Sequence, residues 1–534
     1  MATLNRQKWE FCLLRSVSPM LRHIPQRLAS VIQIAGAGLC LILLTISSES
    51  KASDNVNICI DTDKGRIAGE HTGNHTRWVG IPYAQAPVGE LRWRPPQPIK
   101  GWTGVRETTR FGAACWQITG KQPPESAIVR SMMSEDCLTL NIWAPVEKQQ
   151  QLPVMVWFHG GAFRLGASWL PPYDGSRLAE QGVIIVSVNY RLGPLAVFPH
   201  RALTDDPNTP MNFGLLDQIA ALQWIQHNIA HFGGDVQNVT IWGESAGGAS
   251  VGYLLQSPLA RGLFQKAIMQ SGALDLSEYS REESVQRAEQ VLPDDVKSMT
   301  ADELRQLSPE TLLALPLERT QTMPVIDGVT LTATTAKALA TGKIIGVPLL
   351  IGSNNYEAGF FPPSWAASLP EKMGVNWLAA ATLTDGYGKG TQELKAAQLA
   401  TDKFATLPTR QFADALAEQG HTVWRYYFSW VSPAQRATIP GAIHTAEIPY
   451  IFGNLGSLCD CDDQDRQLSA SLMVRWLQFA RNGNPNVKGK AIWPAWQPGS
   501  ANLFSISSDG QFPISEPGSS RLDFLEMHNN FTLN

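Results

Sequence analysis

Gly243-Glu244-Ser245-Ala246-Gly247 sets a serine between two glycines, directly after the apolar run Val239-Thr240-Ile241-Trp242 and before a stretch of small residues. A serine hydroxyl is a weak nucleophile unless it is exposed and a base takes its proton. A sharp strand-to-helix elbow exposes it, and the flanking glycines make room for the strained backbone such a turn imposes. The same pattern recurs at Gly248-Ala249-Ser250-Val251-Gly252. That copy falls a turn and a half inside the following helix, where glycines most simply permit close packing. Ser245 is therefore the candidate nucleophile.

An elbow serine is followed along the chain by an acid and then by a histidine. Of the ten histidines, His421, His444 and His528 lie beyond Ser245. His528 is in the terminal tail. His421 opens the alternating run His421 to Phe428 and would point wherever that strand dictates. His444 follows Pro440-Gly441-Ala442 on a loop, where catalytic groups are commonly mounted, and is the expected general base. For the acid, Glu357 comes shortly after the apolar run Val347 to Ile351, on a loop at a strand's C-terminal end. Asp327 is its rival, although Asp327-Gly328 reads first as a turn. The tetrahedral oxyanion needs backbone donors, each contributing roughly 3 kcal/mol to the transition state. His159-Gly160-Gly161-Ala162-Phe163 follows the strand Val154 to Phe158, so the amides of Gly161, Ala162 and Ala246 are the expected oxyanion hole. His159 precedes the serine in the chain and is read as steadying that loop.

These residues need a frame. Val154 to Phe158, Val183 to Val188, Val239 to Trp242 and Val347 to Ile351 are apolar on both parities, which suits central parallel strands covered on both faces. Leu215 to Ile229 carries helical periodicity between two of them. Strand and helix alternating in this way predict an α/β chain: an α/β-hydrolase fold with a mostly parallel, doubly wound sheet and helices on both faces. With no linker between dissimilar halves, residues 53–534 read as a single domain. Over 534 residues the net charge is −4, with 44% hydrophobic residues and no basic patch, so nucleic acid is not an expected partner.

Ahead of the domain, Arg6, Lys8, Arg15, Arg22 and Arg27 precede the apolar run Val31 to Ile46, and Ser50-Lys51-Ala52 offers a small-residue cleavage site. Residues 1–52 thus read as a signal peptide, giving a secreted or periplasmic protein with no stable membrane insertion after cleavage. The other reading is an uncleaved anchor, although the run is shorter than the roughly 20 residues that span a bilayer. Seven cysteines are present, and export would favour pairing among the five beyond the leader. Cys59 is expected to be an unpaired, buried thiol on the first strand. Cys459 and Cys461 are too few and too close for a zinc site, and a local disulfide or free thiols both remain open.

The chain resembles the type-B carboxylesterases. Phe232-Gly233-Gly234, four residues, then Val239 through Gly247 follow that family's serine signature, and Glu135 through Pro145 follow its second signature. Gly80 to Ala84, Val188 to Gly193, Gly214 to Gln218, Phe479 to Asn486 and Trp493-Pro494 extend the likeness over nearly the whole chain beyond the leader. The resemblance implies a Ser245–His444–Glu357 triad, a Cys115–Cys137 disulfide and a buried Arg92–Glu135 ion pair. It also implies acyl transfer through an acyl-enzyme, with no metal and no cofactor. Where cholinesterases carry a choline-binding tryptophan this chain has Ala127, so cholinesterase activity is not expected. Phe360, Phe361, Trp365 and Trp377 are candidates for an apolar gorge or for ordinary core. The substrate is expected to be a small-molecule or polymeric ester. The alternatives are an amidase or lactonase using the same groups, or a catalytically silent binding protein.

Overall fold

A computed structural model describes residues 58–118, 128–147, 149–274, 276–368, 390–457, 461–499 and 502–532. The expected signal peptide, Ala127, Trp377 and Cys459 lie outside the described residues.

An antiparallel meander comes first: β1 (Ile58–Thr62), β2 (Gly65–Thr72) and β3 (His75–Pro82), with the short β4 (Val105–Glu107) beside β2. A separate pair follows, β5 (Ala114–Cys115) and β6 (Met133–Ser134). The remaining strands are β7 (Thr139–Pro145), β8 (Leu152–Phe158), β9 (Ile184–Val188), β10 (Gly234–Glu244), β11 (Lys266–Gln270), β12 (Leu349–Asn354), β13 (Val423–Phe428), β14 (Leu503–Ser507) and β15 (Gly510–Ile514). They join the meander in a 13-stranded sheet of order β1-β2-β3-β7-β9-β8-β10-β11-β12-β13-β14-β15. From β9 to β14 every neighbouring pair is parallel. The chain folds as an α/β hydrolase.

Strand pleating explains the runs that are apolar on both parities. In β8, Val154, Val156 and Phe158 pack into one apolar layer, while Met155 and Trp157 pack into the other. The first layer takes in the helices Phe213–Asn228 and Ala246–Gln256; the second takes in Asp463–Asn482. Residues 55–534 group as one unit. Among the described residues no helix is long and apolar enough to cross a membrane.

Cys59 corrects the sequence reading. It lies on β1 and is unpaired, but it is exposed, because Ile60 takes the inward side of the pleat and its neighbours face out. Cys461 is disulfide-bonded, which removes the free-thiol alternative for it. Cys115 and Cys137 form a disulfide across a separation of 22 residues. The Arg92 guanidinium grips both Glu135 oxygens nearby, at 2.7 and 2.6 Å, and also donates to the Arg305 and Leu307 carbonyls. Replacing both cysteines of this bridge with serine should lower unfolding stability by about 3 kcal/mol, from the loop-closure entropy returned to the unfolded chain. The midpoint of urea unfolding measures this. An unmoved midpoint would show that the Arg92–Glu135 clamp alone holds the loop.

Candidate active site

β10 ends at Glu244, and the helix Ala246–Gln256 begins two residues later, which leaves Ser245 to make the whole turn. Its backbone sits at φ 55° and ψ −124°, a sparsely populated region costing about 1–3 kcal/mol. The turn holds because the Ser245 amide donates to the Gln270 carbonyl at 3.0 Å and its carbonyl accepts from the Ala249 amide at 2.8 Å. A Cβ on Gly247 would stand 1.9 Å from the Phe158 carbonyl oxygen, so only glycine lets the helix pass under the end of β8. Ser245 itself is 9% exposed. Ser250 is fully buried, donates to the Ala246 carbonyl at 2.9 Å and accepts from the Gln218 amide at 3.0 Å. It is a packing residue of the helix.

His444 and Glu357 meet although 87 residues separate them, with Nδ1 of the imidazole 2.6 Å from Oε2 of the carboxylate. Glu357 comes from the 3-10 turn Glu357–Phe360 after β12, and His444 from the loop after β13. Three hydrogen bonds tie the loops together: Asn354 Nδ2 to the Ile443 carbonyl (2.8 Å), the Tyr356 amide to the Ala442 carbonyl (3.0 Å), and the Ala442 amide to Asn355 Oδ1 (2.7 Å). The other Glu357 oxygen accepts from Ser271 Oγ at 2.6 Å and from the Asn354 amide at 2.7 Å. Both carboxylate oxygens are thereby fixed, and the imidazole with them. Nε2 of His444 faces the elbow. It lies 3.2 Å from Glu244 Oε1 and makes no hydrogen bond to Ser245 Oγ, a looseness usual before substrate binds.

The loop after β8 supplies the facing wall. Gly161, Ala162 and Phe163 all take positive φ, at 110°, 56° and 57°. The loop is closed by the Arg164 and Leu165 amides donating to the Gly161 carbonyl at 3.0 and 2.9 Å. Among the described residues, the amides of Gly161, Ala162 and Ala246 donate to no loop or cap hydrogen bond. His159 is buried at the base of this loop, stacked 4.5 Å from Tyr190, with Nδ1 2.8 Å from the Gly160 carbonyl. Burial pushes its imidazole down to about 4, so it stays neutral as a structural ring.

The rival residues lie elsewhere. Asp327 Oδ1 accepts from the Val329, Thr330 and Leu331 amides and Oδ2 from the Met211 amide, which makes it a turn-former. His421 is half-buried, just ahead of β13. His528 is in the helix Ser519–Thr532. Phe360 and Phe361 stand 5.7 and 6.0 Å from the His444 ring, and Phe361 packs on Trp365 and Phe404 at 4.9 and 5.6 Å. Of the gorge candidates, Phe360 and Phe361 border His444, and Trp365 stands behind Phe361.

Two further carboxylates crowd the same interior. Glu244 is 1% exposed and its Oε1 has no hydrogen-bond partner, so its approach to His444 is electrostatic rather than directional. Glu447, also 1% exposed, accepts from Asn354 Nδ2 at 2.7 Å and from Gln270 Nε2 at 3.0 Å. Burial raises both carboxyls, Glu244 well above its ordinary value. Burial alone would push His444 down, but Glu244, then Glu357 and Glu447, outweigh it and lift the imidazole to about 9. Sequence reasoning passed over Glu244, Glu447 and Ser271. A signal existed for the first, which adjoins the elbow serine, and for the second, which sits three residues beyond His444.

The sign of the pH dependence follows. A base must be neutral, so kcat/KM should climb with pH toward about 9 and fall as the imidazole gains its proton below that. Glu244→Gln removes the leading upward influence. The acid limb of the pH–rate profile should then move down toward the ordinary imidazole value of 6.5. A limb that stays put would show that Glu244 is already neutral in the working enzyme.

Residues 56–525 match the model of the carboxylesterase family. The chain is 36% identical over 476 residues to the para-nitrobenzyl esterase of Bacillus subtilis (strain 168), covering 84% of this chain and 95% of that one. It is 34% identical over 477 residues to the fumonisin B1 esterase of Sphingopyxis macrogoltabida, covering 83% and 86%. Among solved structures, a thermophilic PNB esterase superposes with a TM-score of 0.75 at 35% identity, over 88% of this chain and 100% of the other.

Proposed function

The chain belongs to the carboxylesterase family and hydrolyses carboxylic esters, and from that premise we propose that it is an exported serine esterase working through an acyl-enzyme on Ser245. His444 takes the Ser245 proton as Oγ attacks the ester carbonyl. Glu357 holds the imidazole by its Nδ1 side and stabilises the imidazolium that forms. The Gly161, Ala162 and Ala246 amides receive the charge that develops on the carbonyl oxygen. His444 then returns its proton to the departing alcohol. In the second half-reaction it deprotonates a water that attacks the acyl-enzyme, which frees the acid and restores Ser245.

The observation that carries this reading is the 2.6 Å Glu357–His444 contact beside a serine held at φ 55°. An organophosphate is the direct test, because it needs an activated nucleophile. Mass mapping of the labelled protein is expected to find the adduct on the peptide containing Ser245. An adduct elsewhere sinks the assignment. Turnover of p-nitrophenyl esters of graded acyl length would define the preferred acyl group.

Export rests on the basic-then-apolar leader ahead of Ala52. Protein from the native host should begin near Ser53. A start at Met1 in a cytosolic fraction would overturn it.

A further inference from the structure

Three buried arginines are matched with carboxylates. Arg92 clamps Glu135, Arg191 clamps Asp217, and Arg425 pairs with Glu516. Arg164 and the exposed Arg319 have no such match: among the described residues neither guanidinium has an ion pair or a hydrogen bond. Glu318, the neighbour that could have answered Arg319, is instead turned into capping its own 3-10 turn, Arg319–Thr322. Arg164 is half-buried, and burial together with the charge of Arg319 holds it below its ordinary value. The charge of each unanswered cation disfavours that of the other, and a shared anion would relieve the repulsion.

Their position relative to the ester site gives this a meaning. Arg319 lines a cleft of about 530 Å³ with Phe361, Pro362, Trp365 and Phe404, a volume suited to a small-molecule ligand. Phe361 in that wall is 6.0 Å from the His444 ring. Arg164 follows directly on the oxyanion loop. The two are physically joined, since the Phe163 carbonyl accepts from the Gly193 amide at 2.7 Å, and the turn at 193–195 packs against the turn that carries Arg319.

We propose that Arg164 and Arg319 form a carboxylate-binding subsite beside the ester site, so that the preferred substrates are esters bearing a free carboxylate separated from the scissile bond by an apolar stretch. The proposal rests on the esterase reading above and names its substrate class. A guanidinium fork matches a carboxylate in two parallel hydrogen bonds, and the aromatic wall between Arg319 and His444 suits a methylene spacer.

Matched pairs of esters test it. Monomethyl adipate against methyl hexanoate places the carboxylate on the acyl side; 3-(butyryloxy)propanoate against propyl butyrate places it on the alcohol side. In at least one pair the anionic ester is expected to be favoured in kcat/KM by roughly tenfold or more, chiefly through a lower KM, with added salt eroding the preference. Arg319→Gln should bring that ratio toward one and Arg319→Glu should invert it. Arg164→Gln should lower the same ratio, which cancels any loss common to both substrates from disturbing the loop. Labelling of Ser245 by organophosphate shows that each variant is folded. A ratio at or below one in both pairs, or a ratio indifferent to Arg319, overturns the subsite while leaving the esterase reading intact. Turnover of neither member of either pair overturns the esterase reading, and the subsite falls with it.

Discussion

Replacing Ser245 with alanine is expected to abolish ester turnover, with kcat falling on the order of 10⁶-fold, and His444→Ala should cost nearly as much. The two losses should not add. Without the base the hydroxyl is no stronger than a free alcohol, and without the hydroxyl the base has no proton to take, so the double variant should match either single one. Residual rate in all three would come from the Gly161, Ala162 and Ala246 amides and from substrate binding. Ser250→Ala is the control, since its hydroxyl spans only the Ala246 carbonyl and the Gln218 amide, and it should retain most of the activity. Single-turnover assays with an activated ester measure the set. A Ser245→Ala enzyme still forming an acyl adduct would remove the nucleophile assignment altogether.

Glu357→Gln should be severe but milder, on the order of 10⁴-fold in kcat. The amide keeps the size of the side chain, so it can still meet Ser271 Oγ and the Asn354 amide through its oxygen. Its nitrogen would then face His444 Nδ1 as a donor, which favours the wrong tautomer and leaves the imidazolium without a countercharge. Asp327→Asn should leave the chemistry alone and reduce stability, because the loss falls on a turn held by four backbone amides. Parallel kinetics and unfolding curves on the two variants separate the roles. An inactive but stable Asp327→Asn beside an active Glu357→Gln would move the acid to the other loop.

What the sequence disclosed had local causes. The elbow could be read because its glycines, the preceding apolar run and the small residues after it lie within a dozen positions. Central strands stood out because a strand covered on both faces must be apolar on both parities. Strand limits were less exact: the run read from His421 begins as β13 only at Val423. β11 passed unnoticed, since Lys266-Ala267-Ile268-Met269-Gln270 ends in polar residues whose burial depends on distant partners such as Glu447 and Trp476. Glu447 and Ser271 were missed for the same reason, as their roles exist only once strand ends are brought side by side. Cys59 was misjudged because its hydrophobic character outweighed the alternation of β1, which gives the inward place to Ile60. The unanswered charge of Arg164 and Arg319 is a relation between two loops, and no local pattern announces it.

The parallel order of the sheet also governs how the enzyme comes into being. β10, β12 and β13 lead into Ser245, Glu357 and His444, yet they come together, with β11 between the first two, only after long crossovers close, and such non-local pairing is the slow part of folding. Helices such as Phe213–Asn228 depend on near neighbours in the chain and can form early. On dilution from denaturant, helical circular dichroism should therefore return well before esterase activity. During that lag the unpaired strand edges are open to other chains, so the yield of active enzyme should fall as protein concentration rises.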